Sequence, residues 1–200
     1  MERYLKVMFG QTSGADNSFC YKIDEVNIAN NWNPNATDPK EMGGFNFSTE
    51  DKILRWLVRG DTIYDVEIPK AAEIIDCPSE SAPHGVFRTN KIILSNPRIV
   101  TDELAMTLYF KSDLPEKSYY KAMAGCAVRG YINTALAILK DKVNENNIDL
   151  VLEEFKDFCS HDSNIFNPEN LDNNTLKIYN LLLEIRNKYL HKIKKHINSF

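Results

Sequence analysis

Near residue 100 the hydrophobic period of this chain changes from two to 3.6, and that change limits what each half can become. Before it, over Asp61–Pro69, Tyr64, Val66 and Ile68 alternate with Asp65 and Glu67, the pattern of a strand with one apolar face. After it, Thr101-Asp-Glu-Leu opens a helical pattern that runs to about Phe110, and Pro115 suits the first turn of a following helix. Further helices are expected over about 116–129, 133–143, 147–160 and 173–197. The fold class that follows is α+β. A mainly antiparallel sheet occupies residues 1–100, and an α-helical subdomain occupies residues 101–200.

Within the first part, Tyr4–Phe9 reads as a strand closed by a turn over Gly10–Gly14, and Phe19–Val26 as a second strand. Residues 29–42 are rich in Asn and Pro and read as a loop, with Trp32 expected to fold back onto the body. Phe45 and Phe47 alternate with polar neighbours as a short strand should. Ser48 or Thr49 can cap a helix running to about Arg59, with Ile53/Leu57 and Leu54/Val58 as i,i+4 pairs and Gly60 as its stop. Glu73–Asp76 reads as a short strand, and Gly85–Leu94 as one strand with Val86, Ile92 and Leu94 on a shared face, ended by Pro97. In the last helix Leu176, Tyr179, Leu183, Leu190, Ile193 and Ile197 form a stripe that Arg186 interrupts, which favours docking on a neighbour over a long coiled coil.

Composition narrows the function classes. Apolar residues make up 43% and charged residues 26%, so the chain can bury a core and is not disordered throughout. The net charge of −4 argues against bulk binding to nucleic acid. The one basic patch is Arg186–His196, with five bases and no acid, where RNA or an anionic lipid could touch; a helix C-terminus also attracts bases through its dipole. Cys20, Cys77, Cys126 and Cys159 are far apart and form no CxxC pair, so they read as reduced thiols, and no metal site is expected. The opening ten residues are too short and polar for a secretory signal, and no run of 18 apolar residues exists to span a membrane. A cytoplasmic protein is expected.

Several constellations are candidates for chemistry. Asp65 and Glu67 share a strand face and could act as paired carboxylates, although a solvated antiparallel strand predicts the same pattern. His84, Arg88 and Asn90 lie along one stretch in which Arg88 could grip a phosphate or ribose. Arg55 and Arg59 stand i,i+4, with Glu50, Asp51 and Asp61 as expected surface partners. Ala122, Ala124, Gly125 and Ala127 permit close helix packing.

The order of elements over residues 43–103 carries a resemblance. Gly-Phe-Asn-Phe-Ser-Thr, a short helix, Gly-Asp-Thr-Ile-Tyr-Asp-Val-Glu-Ile-Pro, Phe-Arg-Thr-Asn-Lys-Ile-Ile-Leu and Val-Thr-Asp-Glu-Leu resemble a group of uncharacterised bacterial and phage domains. The same order is distantly similar to the ADP-ribosyltransferase fold, a split sheet that clamps NAD. The resemblance implies that Gly44–Thr49 contributes backbone approach, a stacking aromatic and an ordering hydroxyl, and that NAD is the cofactor. It points to Phe45, Phe47, Ser48 and Thr49 as ligand-binding residues, joined by Tyr64, Arg88 and Asn90 from the facing strands. The chain departs from the family where Arg or His is expected, having Lys6, Phe9 and Gln11 there, and Asn90 stands in place of the family's Glu. Neither Asn nor Gln has the charge to stabilise an oxocarbenium-like transition state.

Three function classes follow. The first is a binding or regulatory accessory protein of bacterial, phage or mobile-element origin, whose degenerate sheet binds a protein or a nucleotide. The second is an NAD-dependent ADP-ribosyltransferase with unconventional residues. The third is a non-catalytic interaction module docking through its helices. The first is preferred because it needs no missing catalytic residue.

Overall fold

The computed structural model describes residues 3–12, 19–80, 82–160 and 166–197. Strands come first and helices after, in two compact units that meet in sequence at Pro115 and Glu116. The first unit holds β1 (Tyr4–Met8), β2 (Val26–Ile28), β3 (Phe45–Thr49), β4 (Thr62–Glu67), β5 (Ile74–Asp76), β6 (Val86–Thr89) and β7 (Lys91–Ile99). It also holds α1 (Pro39–Met42), a 3₁₀ helix (Glu50–Arg59) and α2 (Asp102–Lys111). Thus α2, expected with the helical part, belongs to the strand-rich unit. Lys111 pairs with Glu50, and the backbone N–H of Asp113 donates to the carbonyl of Asp51.

The sheet order is β2-β7-β4-β1-β3-β6-β5, and each neighbouring pair of strands is antiparallel. Residues 85–94, expected as one strand, belong to two. β6 pairs with β3 and β5 near one end of the order, and β7 with β4 and β2 near the other, yet only Asn90 separates them. In a flat sheet four interstrand spacings would hold β6 and β7 about 19 Å apart, whereas the two residues from Thr89 to Lys91 reach about 7 Å. The sheet therefore curls. Its concave face gathers Met8, Tyr21, Phe45, Phe47, Tyr64, Ile92 and Leu94 into one buried cluster, with Tyr4, Val66 and Phe87 packed against it. Pro97 does not end the strand. Asn96, at φ 51°, and Pro97 form a bulge opposite Tyr64, a position where a residue without an N–H is tolerated.

Other expectations shift in detail. Of Phe19–Val26 only the final residue is in a strand, and isolated bridges at Cys20 and Ile23 replace the rest. The Gly10–Gly14 turn lies outside the described residues beyond Thr12. Trp32 does fold back: its indole N–H donates to Glu73 at 2.6 Å, and its ring fills the place a side chain on Gly44 would need. Gly60 does not close its helix in a left-handed turn, because its backbone is extended; a Cβ there would lie 2.3 Å from the Met8 backbone.

The second unit consists of α3 (Glu116–Val128), α4 (Ile132–Lys142), α5 (Ile148–Ser160), a short 3₁₀ turn (Pro168–Asn170) and α6 (Asn173–Ile197). Ala122, Ala124, Gly125 and Ala127 are buried on α3, where small side chains let neighbouring helices approach. The buried face of α6 is Thr175, Ile178, Tyr179 and Leu182, not the expected stripe: Leu190 is exposed, and the side chains of Ile193 and Ile197 lie outside the described residues. Tyr179 stacks on Phe155 of α5 with centroids 6.1 Å apart, which is the docking on a neighbour that Arg186 suggested. No helix among the described residues is long and apolar enough to cross a membrane.

Candidate functional site

The two edges of β1 are unequal. Against β4 it pairs over five residues, from Tyr4↔Val66 to Met8↔Thr62; against β3 it pairs only at Tyr4↔Thr49 and Leu5↔Ser48. Beyond Leu5 the ladder with β3 stops, and a small cleft of about 50 Å³, open to solvent, lies at that divergence. Leu5, Val7, Ile53 and Val86 give it apolar walls, and Lys6, Asn46, Ser48, Trp56 and Arg59 give it polar or aromatic ones. No carboxylate lines it among the described residues.

The roof depends on the helix type. Residues Ile53, Trp56 and Arg59 all line the cleft at a spacing of three. A 3₁₀ helix has three residues per turn and stacks such positions in a row, whereas an α-helix would spread them over about 120°. The ten-residue 3₁₀ helix differs from the α-helix expected here, and Thr49 at its start makes no side-chain capping hydrogen bond. The row also orders charge: the Arg59 guanidinium lies 5.7 Å from the Trp56 ring centroid and that of Arg55 4.3 Å. The acids expected to neutralise these arginines are engaged elsewhere. Glu50 pairs with Arg3 and Lys111, Asp51 with Lys52, and Asp61 accepts from Thr62. Burial, together with the charge of Arg59, lowers the pKa of Arg55.

The floor carries a buried amine. Lys6 is 6% exposed, and its Nζ donates to the backbone oxygen and to Oδ1 of Asn46, each at 2.6 Å. Nζ also lies 5.4 Å from the Tyr21 ring centroid. Burial, reinforced by the positive charge of Arg88, brings its pKa down from 10.5 to about 7. Ser48, also on the lining, is 1% exposed, and its hydroxyl has no hydrogen-bond partner among the described residues. A buried polar group in that condition calls for an explanation, and a ligand that completes it is one.

The residues singled out from the sequence fall on both sides of this site. Alternation along β3 sends Phe45 and Phe47 into the concave core, each 4% exposed, where they meet Phe19, Tyr21, Tyr4 and Phe87. Their rings are engaged in the core, although Phe47 also lines the cleft. Tyr64 is 2% exposed and donates to the carbonyl of Gly10. Thr49 bonds Gly85, and Asn90 accepts from the backbone N–H of Glu73. Arg88 pairs across from Asn46, and its guanidinium donates to the carbonyl of Gly43 at 2.6 Å. The structure thus places Ser48 and Phe47 on the cleft, and puts Arg88 close enough to depress the Lys6 pKa. Asn46 and Trp56 are the site residues that the sequence reading passed over; Lys6 reads there only as a departure from the family's Arg or His, and Arg59 only as a surface cation.

The other candidate constellations are accounted for by ion pairs or lie apart. Asp65 accepts from Arg3, Arg98 and Asn96 at 2.6–3.1 Å, and Glu67 is exposed. Burial alone would raise the Asp65 pKa, but the bonds from Asn96 and Arg3 and the charges of Arg98 and Arg3 hold it low. His84 is exposed and lies outside the cleft lining. In the basic end of α6, Arg186 pairs with Asp149 at 2.7 Å and Lys192 with Glu145, so part of that patch is neutralised. Among the described residues no group of His, Cys, Asp or Glu is placed to hold a metal ion. No protein-family model, curated protein or solved structure matches this chain.

Proposed function

We propose that this chain is a binding protein whose strand-rich unit takes up an anionic, ring-bearing ligand of nucleotide type in the cleft between β1 and β3. The observation that carries this reading is the cleft's lining: Trp56, Arg59, Lys6 and Ser48, whose hydroxyl has no hydrogen-bond partner, with no carboxylate beside them among the described residues. An indole offers a face on which a base or other aromatic ring stacks, worth about 1–3 kcal/mol in nucleic-acid systems. A guanidinium is a planar donor for phosphate or carboxylate, and the uncompensated positive charge favours a ligand that supplies the negative one. An accessory role in a bacterial, phage or mobile-element setting rests on the resemblance of residues 43–103 to domains of that origin.

The NAD-dependent ADP-ribosyltransferase reading draws support from the same divergence of β1 and β3, which opens the sheet as a split sheet would. The side chains favour binding over transfer. Asn90 is held by the Glu73 backbone, and no lining carboxylate is available to polarise a ribose.

Calorimetric titration with ATP and with NAD at low ionic strength tests the proposal. Saturable binding of at least one is expected, weakened ten-fold or more in Trp56→Ala, with no nicotinamide released from NAD. Absence of binding by both to the folded chain overturns the nucleotide reading, and turnover of NAD would promote the transferase.

A further inference from the structure

A cleft of about 50 Å³ has room for about three to five water-sized groups, so most of a nucleotide bound there lies outside it. Trp56 and Arg59 of the 3₁₀ helix line the cleft, and Arg55 does not. With three residues per turn, Arg55 is turned about 120° from Trp56 around the helix axis. Its Nη1 donates to the Ser79 hydroxyl at 3.2 Å, and its guanidinium carbon lies 4.3 Å from the Trp56 ring centroid. The guanidinium carbon of Arg59 lies 5.7 Å from the same centroid, so the two are no farther apart than those distances combined. Two or three linked phosphates can bridge such a span.

Neither guanidinium has an acid partner among the described residues. Glu50, Asp51 and Asp61 are engaged elsewhere, and exposed Glu80, next to Ser79, forms no ion pair with either arginine. Mutual repulsion would drive two solvated arginines apart, whereas the indole and the Ser79 hydroxyl hold these together. Ser79 takes one of the five N–H donors of Arg55 and leaves four for water or a ligand. A cation fixed in place before binding loses little freedom on meeting an anion.

We propose that the site continues past the cleft along the 3₁₀ helix, where Arg59 at the mouth and Arg55 beyond Trp56 together hold the linked phosphates of a nucleoside di- or triphosphate. This rests on the reading of the cleft as a nucleotide site and names the ligand class within it. The part that fits the cleft enters between Leu5, Val86 and Ile53, and the phosphate chain supplies the negative charge that the arginine pair lacks.

Calorimetric titration of the full chain with AMP, ADP and ATP at low ionic strength tests this, with inorganic tripolyphosphate as the probe for the arginines alone. Affinity is expected to rise about ten-fold or more from AMP to ATP. Arg55→Gln should remove most of that rise and change AMP affinity by less than about two-fold, because Arg55 lies off the cleft lining. The wild-type comparison holds whatever Arg55→Gln does to the fold. AMP and ATP binding alike, or Arg55→Gln weakening both equally, overturns the phosphate subsite while the cleft stands as a nucleotide site. If tripolyphosphate binds in an Arg55-dependent way while no nucleotide does, the phosphate subsite stands and the nucleotide reading falls. If none of the four binds, both fall.

Discussion

Two lysines of the strand-rich unit are withdrawn from water, and the fold treats them in opposite ways. Lys52, on the 3₁₀ helix, bonds Asp51 and Asp113; burial pulls its pKa down, but those bonds and charges outweigh it and the result is raised. Lys6, on β1, has the neutral Asn46 as acceptor and Arg88 as a charged neighbour, with no acid bonded to it among the described residues, and its pKa falls to about 7. The first is a structural cation that ties the 3₁₀ helix to the segment after α2. The second weakens the fold as an ammonium, and a group retained at a cost in stability beside an open cleft is a functional candidate.

The difference is broken or sharpened by substitution. The largest effect is expected for Lys6→Met. With its folded pKa of about 7 below the unfolded value of 10.5, the unfolded chain binds more protons between those pH values, so wild-type stability rises across that window. At pH 6 the variant should therefore be more stable by about 2–4 kcal/mol, after allowance for the lost Asn46 bonds, and the gain should vanish toward pH 10.5. Urea denaturation at several pH values reads this directly. Next is Trp56→Ala, which should weaken nucleotide binding by about 1–3 kcal/mol in calorimetry. Lys52→Met should act oppositely to Lys6→Met, costing about 1–2 kcal/mol in urea at neutral pH because Asp113 loses its lysine donor. The smallest is Arg59→Gln: it should weaken nucleotide affinity by about 0.5–1 kcal/mol and leave the denaturation midpoint nearly unmoved, since the residue is exposed.

Much of the scaffold was legible in the sequence. The helices follow from the 3.6 period and their caps: the Thr101 hydroxyl accepts from the Leu104 N–H, as a residue at that position should. Strands β1, β3 and β4 follow from alternation. Partnership does not, because alternation says which face a residue takes and not which strand lies beside it. For that reason Gly85–Leu94 reads as one strand ended by Pro97, although β6 and β7, which replace it, serve two distant parts of one curled sheet. The site was half-legible. Lys6 stands between Tyr4 and Met8 on the concave face, so a lysine in an apolar row was the available signal. Asn46 and Ser48, by contrast, take the face opposite Phe45 and Phe47, and the Lys6 amine reaches Asn46 from the core face where β1 and β3 part. The row Ile53, Trp56, Arg59 was hidden, since an i,i+4 reading of that segment assumes the wrong number of residues per turn.

The central claim is that the divergence of β1 from β3 is a ligand site roofed by Trp56. The chain has two tryptophans, so Trp32→Phe leaves Trp56 as the sole indole reporter. Titrating that variant with ATP and NAD while following tryptophan emission addresses the claim at the residue that carries it. A saturable change in emission, weakened when Arg59→Gln is added, is the predicted result; emission that neither nucleotide alters at concentrations up to the millimolar range would contradict it.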